Sequence, residues 1–524
     1  MKLHSYHVFM FPFQWTPKGR EGEDFDERHK LNKILPQTNS QWENKPQPES
    51  TGYQTELYNE KNFFYKFVHN ALYDDDPKNK FPTIKHYERK ETYKTNLIYE
   101  IGVIANKKNS VYKLHLKSLC LDMFSTGTGV LIFYLENYDY PEFDDVRRIN
   151  QFGRRIFPPF LDKTSHVEGT KHAELADYIS IHGLMGNLKR YQEDFTRFST
   201  TESWGKARFI ESLIDDFSPA IEIEPVVDDR MFTMCWYFDN KLSNEIKDTK
   251  LFLKFVRDDR WHQFLYVDSS DSTCQNVRMQ KELLAKNTYS RWQKWGTLYG
   301  MTKYSFMAVS AETGFPLDVA LVHFRTMYVR IVELVLIQRA SILKFSAEVS
   351  HLSALDGKDN QRLADQIGYF YKAYIRFVNQ IFFREITAQE QGIDLYDLLT
   401  KNMRIKDQVK DLDNEIGELH NYASLLDEKS QSRNLSLLTI LGSLFLIPSF
   451  IVGFFGMNFF KYNDSFVNTK IGIIGAIIIL SATIMYGIYH FTKKGKRRIV
   501  SALIVIMILL AVCILFTSSI IQQL

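Results

Sequence analysis

Three apolar runs near the C-terminus, Leu435–Phe455, Ile471–Phe491 and Ile499–Ile520, constrain this chain more than any other feature. Each is about 20 residues long, enough for a helix to cross a ~30 Å hydrocarbon core. None contains Asp, Glu, Lys or Arg. A helix packed in a soluble core keeps a polar face, so three successive runs that are apolar all round predict transmembrane helices.

The averages conceal this. The chain has 524 residues, 65 Lys and Arg against 62 Asp and Glu, and a mean hydropathy of −0.26, values typical of a soluble protein. The membrane part from 435 onward holds seven basic residues and one acid, Asp464, whereas the rest holds 58 basic and 61 acidic residues. Five of the seven fall in Lys493-Lys494-Gly495-Lys496-Arg497-Arg498, between the second and third runs. The positive-inside rule places that loop in the cytoplasm. The large N-terminal part is then cytoplasmic, and the loop after Phe455 and the C-terminus lie outside. The opening MKLHSYHVFMFPFQW has no continuous apolar core before Pro12, so no cleavable signal peptide is expected. Four cysteines (Cys120, Cys235, Cys274, Cys513), none in a CxxC pair, exclude a disulfide scaffold and a zinc ribbon.

Ahead of the first run, Ile405, Val409, Leu412, Ile416, Leu419, Ala423 and Leu426 recur at steps of four and three, with charges between them. This heptad seam, with no proline from Leu395 to Ile447, predicts one continuous helix from the cytoplasm into the first span, roughly 90 Å long over Leu395–Phe455. The seam suits packing against other copies or against the chain's own helices. Two such helices are expected at His323–Leu352 and Arg362–Gln389, joined as an antiparallel hairpin through the turn at Asp356–Asn360.

The first run ends in LIPSFIVGFFGMNFF, with Pro448 inside the span and Gly456-Met457-Asn458 at its outer end. On these residues the chain resembles the CorA family of divalent-cation channels. The resemblance runs through the stalk and the membrane part. It implies a cytoplasmic α/β domain, a stalk helix continuous with the first span, and a homopentamer with that span lining the pore. It also implies that Gly456, Met457 and Asn458 form the outer mouth. A ring of Asn458 carboxamides would hold hydrated Mg²⁺ through its water shell, which suits an ion that dehydrates reluctantly. Deeper in the span, Ser432, Ser436, Thr439 and Ser443 follow steps of four, three and four and are candidates for a hydrophilic wall. Leu446 and Phe450 continue that face and are candidates for a hydrophobic gate. Gly442, Ser449 and Gly453 offer the competing reading, a small-residue face for close helix packing.

The chain departs from that family in three ways. Lys461 follows Asn458 closely and Asp464 is the only nearby acid, whereas the family's outer loops carry acids. The family has two spans, and the third here is extra, an expected outer ring. The body is also larger than the family needs, and no residue can be assigned to the family's metal-sensing carboxylates.

The body reads as α/β, with strands at Asn96–Val103, Val111–Leu116, Val130–Leu135, Ile221–Val227 and Met231–Phe238. Residues 16–60 read as long loops. STGTGV (Ser125–Val130) looks like a phosphate loop but precedes a strand, which favours a hairpin turn. No nucleophile–base or metal-ligand motif argues for an enzyme, and His166 and His172 read as surface histidines. DLDNEIGE (Asp411–Glu418) lies in the heptad helix and lacks a calcium loop's glycine. Arg147, Arg148, Arg154 and Arg155 form two pairs seven residues apart, two turns of a helix whose N-terminus carries Asp144 and Asp145. One helical face bearing four guanidinium groups suits an anionic ligand, or else is a solvated face paired with acids. Aromatic rings near basic residues in RWQKWGTLYGMTKYSFMAV (Arg291–Val309) suit either base stacking or an aromatic core strand. That segment and SYHVFMFPFQW resemble the CorA-like subgroup found with type III CRISPR systems, which implies gating by an adenylate messenger such as a cyclic oligoadenylate or an S-adenosylmethionine–AMP conjugate.

The expected architecture is thus an α/β cytoplasmic domain (1–320), a helical hairpin and stalk (321–434) and an α-helical transmembrane domain (435–524). The expected function is a Mg²⁺-type cation channel in the inner (plasma) membrane, without enzyme activity or catalytic cofactor. Its expected partners are its own copies, the bilayer, divalent cations and a nucleotide messenger, with no direct nucleic-acid binding. The other readings are a housekeeping Mg²⁺ or Zn²⁺ transporter regulated by intracellular divalent ions, and a non-conducting membrane-anchored receptor.

Overall fold

The strands marked by sequence patterning all belong to one sheet. In a computed structural model of the chain, residues 2–456 are described apart from 21–24, 37–38, 46–58, 74–80, 94–95, 104–109, 157–175, 186–187, 196–206, 229, 269–271 and 355–359. The chain divides into two compact units, Met1–Gly357 with Asp365–Asn421, and Lys358–Ala364 with Tyr422–Leu524.

The sheet lies in the first unit. Its strands are β1 (Ser5–Pro17), β2 (Trp42–Asn44), β3 (Ile84–Arg89), β4 (Ile98–Val103), β5 (Ser110–Phe124), β6 (Thr128–Asn137), β7 (Tyr178–His182), β8 (Gln192–Asp194), β9 (Ile221–Pro225), β10 (Phe232–Phe238), β11 (Thr288–Tyr289), β12 (Leu298–Met301) and β13 (Ser305–Ser310). The main order is β11-β12-β13-β10-β1-β6-β5-β4-β7-β8, with β9 on β1 and β2-β3 on β5. Among the described strands only β10 and β13 pair in parallel, because the helices between them carry the chain back to the same end.

β1 is the central strand, and it changes partner along one edge. Ser5–Met10 pairs with β10 and Phe13–Pro17 with β9, while β6 holds the other edge from Ser5 to Gln14. Pro12, which has no N–H to donate, falls in the gap between those two ladders. β5 and β6 join through Ser125-Thr126-Gly127, the hairpin turn expected in place of a phosphate loop. Gly127 has φ +74°, and a Cβ there would come within 2.0 Å of Lys344 Nζ, so no larger residue fits.

Both faces of the sheet are covered, which is why β1 and β6 are buried almost end to end. On one face Phe9, Phe11, Phe13, Trp15, Leu131 and Phe133 share a core with α1 (Phe143–Gly153) and α2 (Arg208–Phe217). A second core gathers around α3 (Asp259–Tyr266) and α4 (Val277–Asn287), through Trp261, Phe264 and Leu284. The other face receives α5 (Val329–Ser353). There Lys344 Nζ donates to Gly127 O at 2.9 Å, and the Arg325 guanidinium, on the turn before α5, lies 4.4 Å over the Tyr6 ring.

α5 and α6 (Asn360–Gln380) form the expected hairpin, closed by Phe345 against Phe370 and Phe377. Most of the turn between them lies outside the described residues. α6 stops at Gln380, nine residues short of the expected end, and α7 (Glu390–Asn402) follows. The unbroken helix expected from Leu395 is corrected here: Arg404 takes φ +54°, and the long helix α8 runs from Ile405 to Gly456. The heptad seam packs on the chain itself over its first turns. Ile405, Val409, Leu412 and Ile416 are buried, Tyr374 Oη donates to Val409 O at 3.4 Å, and Tyr371 stacks on His420 at 4.2 Å. The expectation of loops over 16–60 is amended by the end of β1, the short β2 and two single-turn helices at Phe25–Arg28 and Leu31–Ile34.

Candidate functional site

The C-terminal part of α8 carries the residues singled out as pore-lining. Ser436 and Thr439 are exposed, and each hydroxyl donates to the carbonyl four residues earlier, at 2.9 Å to Ser432 and 2.8 Å to Leu435. Back-bonding of this kind removes the hydroxyl hydrogen from the surface and leaves the oxygen lone pairs outward as hydrogen-bond acceptors. The backbone at Ser443, Leu446, Phe450 and Gly456 is helical. The side chains of Ser443, Leu446 and Phe450, together with Met457, Asn458 and the second and third apolar runs, lie outside the described residues. Alongside the hydroxyls, Leu435, Leu438 and Phe445 are each more than 60% exposed, with Leu437 and Leu441 between them also exposed. Among the described residues, no helix is long and apolar enough to cross a membrane, and no group of three or more His, Cys, Asp or Glu could hold a metal ion.

The four arginines do not share one helical face. α1 ends at Gly153, whose missing side chain lets it approach Ile101 and Phe9; a Cβ there would come within 2.7 Å of Ile101 Cδ1. The two arginines beyond that point turn inward. Arg154 and Arg155 are 2% and 1% exposed, and Arg155 bridges the backbone of Arg230. Arg154 Nη2 donates to Gln151 Oε1 at 3.0 Å and to Val267 O at 3.3 Å, while its Nε has no hydrogen-bond partner among the described residues. Burial, aided by Arg230 and Arg155, pulls the Arg154 guanidinium down to about 9. The first pair stays on α1: Arg147 bonds Asp144 at 2.8 Å and the Gln263 side chain, and the Arg148 guanidinium lies over Phe152 at 5.6 Å.

The aromatic segment at 291–309 is largely core. Tyr299 packs edge-on against Trp236 and Phe306, whereas the half-buried Trp292 and the exposed Trp295 pack on Phe315 outside the core. Tyr304 also lies outside the core, held between Arg230 at 5.5 Å and Arg339 at 5.2 Å. Arg230 has no periodic partner in the sequence, so only the fold reveals that it meets the 154–155 pair.

The described elements from α5 through α8 lie within a family match. A comparison with curated proteins finds no match. Residues 326–494, about a third of the chain, match the family model described as CorA-like Mg2+ transporter protein, a stretch that holds the helical hairpin, α7, α8 and the Gly456-Met457-Asn458 tripeptide.

Proposed function

We propose that this protein is a homo-oligomeric membrane channel for hydrated divalent cations of the Mg²⁺ type, with α8 as the pore-lining helix and Asn458 at its outer mouth. The supporting observation is the end of α8. Leu435, Leu438 and Phe445 lie uncovered beside the back-bonded hydroxyls of Ser436 and Thr439. An apolar surface of this kind calls for lipid or further copies of the same helix, and the hydroxyl row calls for water on another side. Both are met when several copies, five by the family's pattern, surround an axis within a bilayer. In this reading the three apolar runs span the inner membrane, the sheet-bearing unit is cytoplasmic, and Gly456-Met457-Asn458 faces outward. The protein transports and does not catalyse.

The oversized body supports a gating role. We propose that it answers an adenylate-type nucleotide messenger in antiviral defence, as in the CRISPR-associated subgroup that the sequence resembles. The test is cation flux in liposomes holding the full chain, with and without cyclic oligoadenylate or the S-adenosylmethionine–AMP conjugate. Flux that depends on the nucleotide and is lost or deregulated in Asn458→Ala supports the reading. Flux without nucleotide that intracellular-side Mg²⁺ shuts off supports a housekeeping transporter instead. No flux under any condition supports a tethered receptor.

A further inference from the structure

A cavity of about 260 Å³ opens beside the β12–β13 turn and the C-terminus of α4, and no acidic residue is among its described lining. Four cations line it: Arg154, Arg230, Lys286 and Lys303. They come from the end of α1, the entry to β10, the last turn of α4 and the β12–β13 turn, which only the fold brings together. Arg230 is partly neutralised by Asp228 at 3.0 Å. Neither Lys286 nor Lys303 makes an ion pair among the described residues, and both are exposed. Arg154 lies at the closed end, buried, with Nε lacking a partner among the described residues. The four cations outnumber the carboxylates of Asp228 and Asp268 beside Arg154 and Arg230, a net positive charge that a received anion would offset. Tyr266 and Tyr304 add ring edges and hydroxyls to the wall.

The backbone around the cavity is unusual in the same place. Val267, whose carbonyl accepts from Arg154, takes φ 60°, a conformation that β-branched residues avoid. Asn402 also lines the cavity, with its Nδ2 donating to Met301 O at 2.9 Å. Two residues on, Arg404 turns the chain from α7 into α8. The cavity therefore touches the junction from which the long helix starts.

We propose that this cavity binds a phosphorylated small molecule, whose phosphate sits among Arg154, Arg230, Lys286 and Lys303, and that occupancy fixes the α7–α8 junction. The site rests on the reading of the body as a ligand-gated regulator and names where the ligand sits. Guanidinium and ammonium groups converging on one pocket match a phosphate's charge and its several acceptor oxygens. The volume is below the usual 300–1,000 Å³ of drug-sized sites, so a phosphate with one sugar or base, or one arm of a larger molecule, is the size that fits.

The test uses the full chain in detergent micelles, equilibrium dialysis with radiolabelled AMP and with pyrophosphate, and the double variant Lys286→Gln/Lys303→Gln. Both lysines are exposed, so the fold is retained. Saturable binding of either probe is expected, weakened at least tenfold in the variant and unchanged in the control Lys250→Gln/Lys254→Gln. Hydrogen exchange at 402–408 is expected to slow on probe addition in the wild-type chain and not in the double variant. Absence of saturable binding, or binding indifferent to the double variant, overturns the proposal. Flux in liposomes separates the two readings: channel activity without probe binding sinks the cavity alone, and probe binding without channel activity sinks the channel alone.

Discussion

Arg330 Nη1 sits 3.3 Å from Asp122 Oδ2, although 208 residues of chain separate them, and this pair joins α5 to the centre of the sheet. Neither group reaches solvent. Arg330 also bonds Glu333 on its own helix and lies 3.8 Å from Glu60. Asp122 in turn bonds His86. Burial, with the Asp122 charge next, pushes the Glu333 carboxyl well above the ordinary range, so it keeps a proton and the cluster avoids stacked negative charge.

Removing the cation from this cluster leaves buried carboxylates without compensation. Arg330→Met is expected to destabilise the body by about 3–5 kcal/mol. The double variant Arg330→Met/Asp122→Asn should lose less than the two single changes together, because one orphaned charge is removed with its partner. Denaturant unfolding followed by tryptophan fluorescence measures both. Additive losses would mean the pair is uncoupled.

Two buried histidines set the acid limit. His7, bonded to Asn150 at 2.7 Å and Ser5 at 2.8 Å, is pulled down to about 4 by burial. His86 is also pulled down to about 4, by burial and then by Arg330. A histidine with a folded pKa below its unfolded value of 6.5 is neutral in the folded chain while the unfolded chain takes up a proton. Stability is therefore complete above pH 6.5 and falls as pH drops from 6.5 towards 4, by on the order of 3 kcal/mol per histidine. Stability measured across that window should show the slope, and His7→Gln should flatten it by about half.

Arg404 adopts a left-handed backbone at a position where its side chain, among the described residues, makes only an exposed ion pair with Asp407, 3.5 Å away. A glycine there loses little and relieves the Cβ clash, worth about 1 kcal/mol. Arg404→Gly is thus expected to leave the body as stable as before or slightly more so, with the α7–α8 turn unchanged. Arg404→Pro, whose ring fixes φ near −65°, should lower the thermal midpoint by several degrees. A stabilising proline would mean that the junction is not held in this turn.

Periodicity made the helices and most strands legible, and it failed where the fold overrode local spacing. β1 carries no strand signal because both of its faces are buried, so SYHVFMFPFQWTP shows no sustained alternation, and a proline in a central strand is tolerated here only because Pro12 falls between two ladders. The arginine pairs seven apart misled because the tight packing of Gly153 ends α1 before the second pair. No glycine or proline stands between Asn402 and Ile405, so the break before α8 carried no signal. The cations that line the cavity come from four separated segments and share no spacing at all.

Thr439 decides between the two uses of the hydroxyl row on α8. Its Oγ1 donates inward to Leu435 O, so Thr439→Val keeps the shape, loses one intrahelical bond and removes an outward acceptor. If the row faces the pore, the hydrated ion loses part of a hydrogen-bonding wall, and cation flux in liposomes should fall severalfold. Leu438→Val, on the exposed apolar side of the same turn, should leave flux near wild type because that side meets lipid or a neighbouring helix. A silent Thr439→Val with a damaging Leu438→Val would reverse the assignment and put the small residues, in place of the hydroxyls, at the axis.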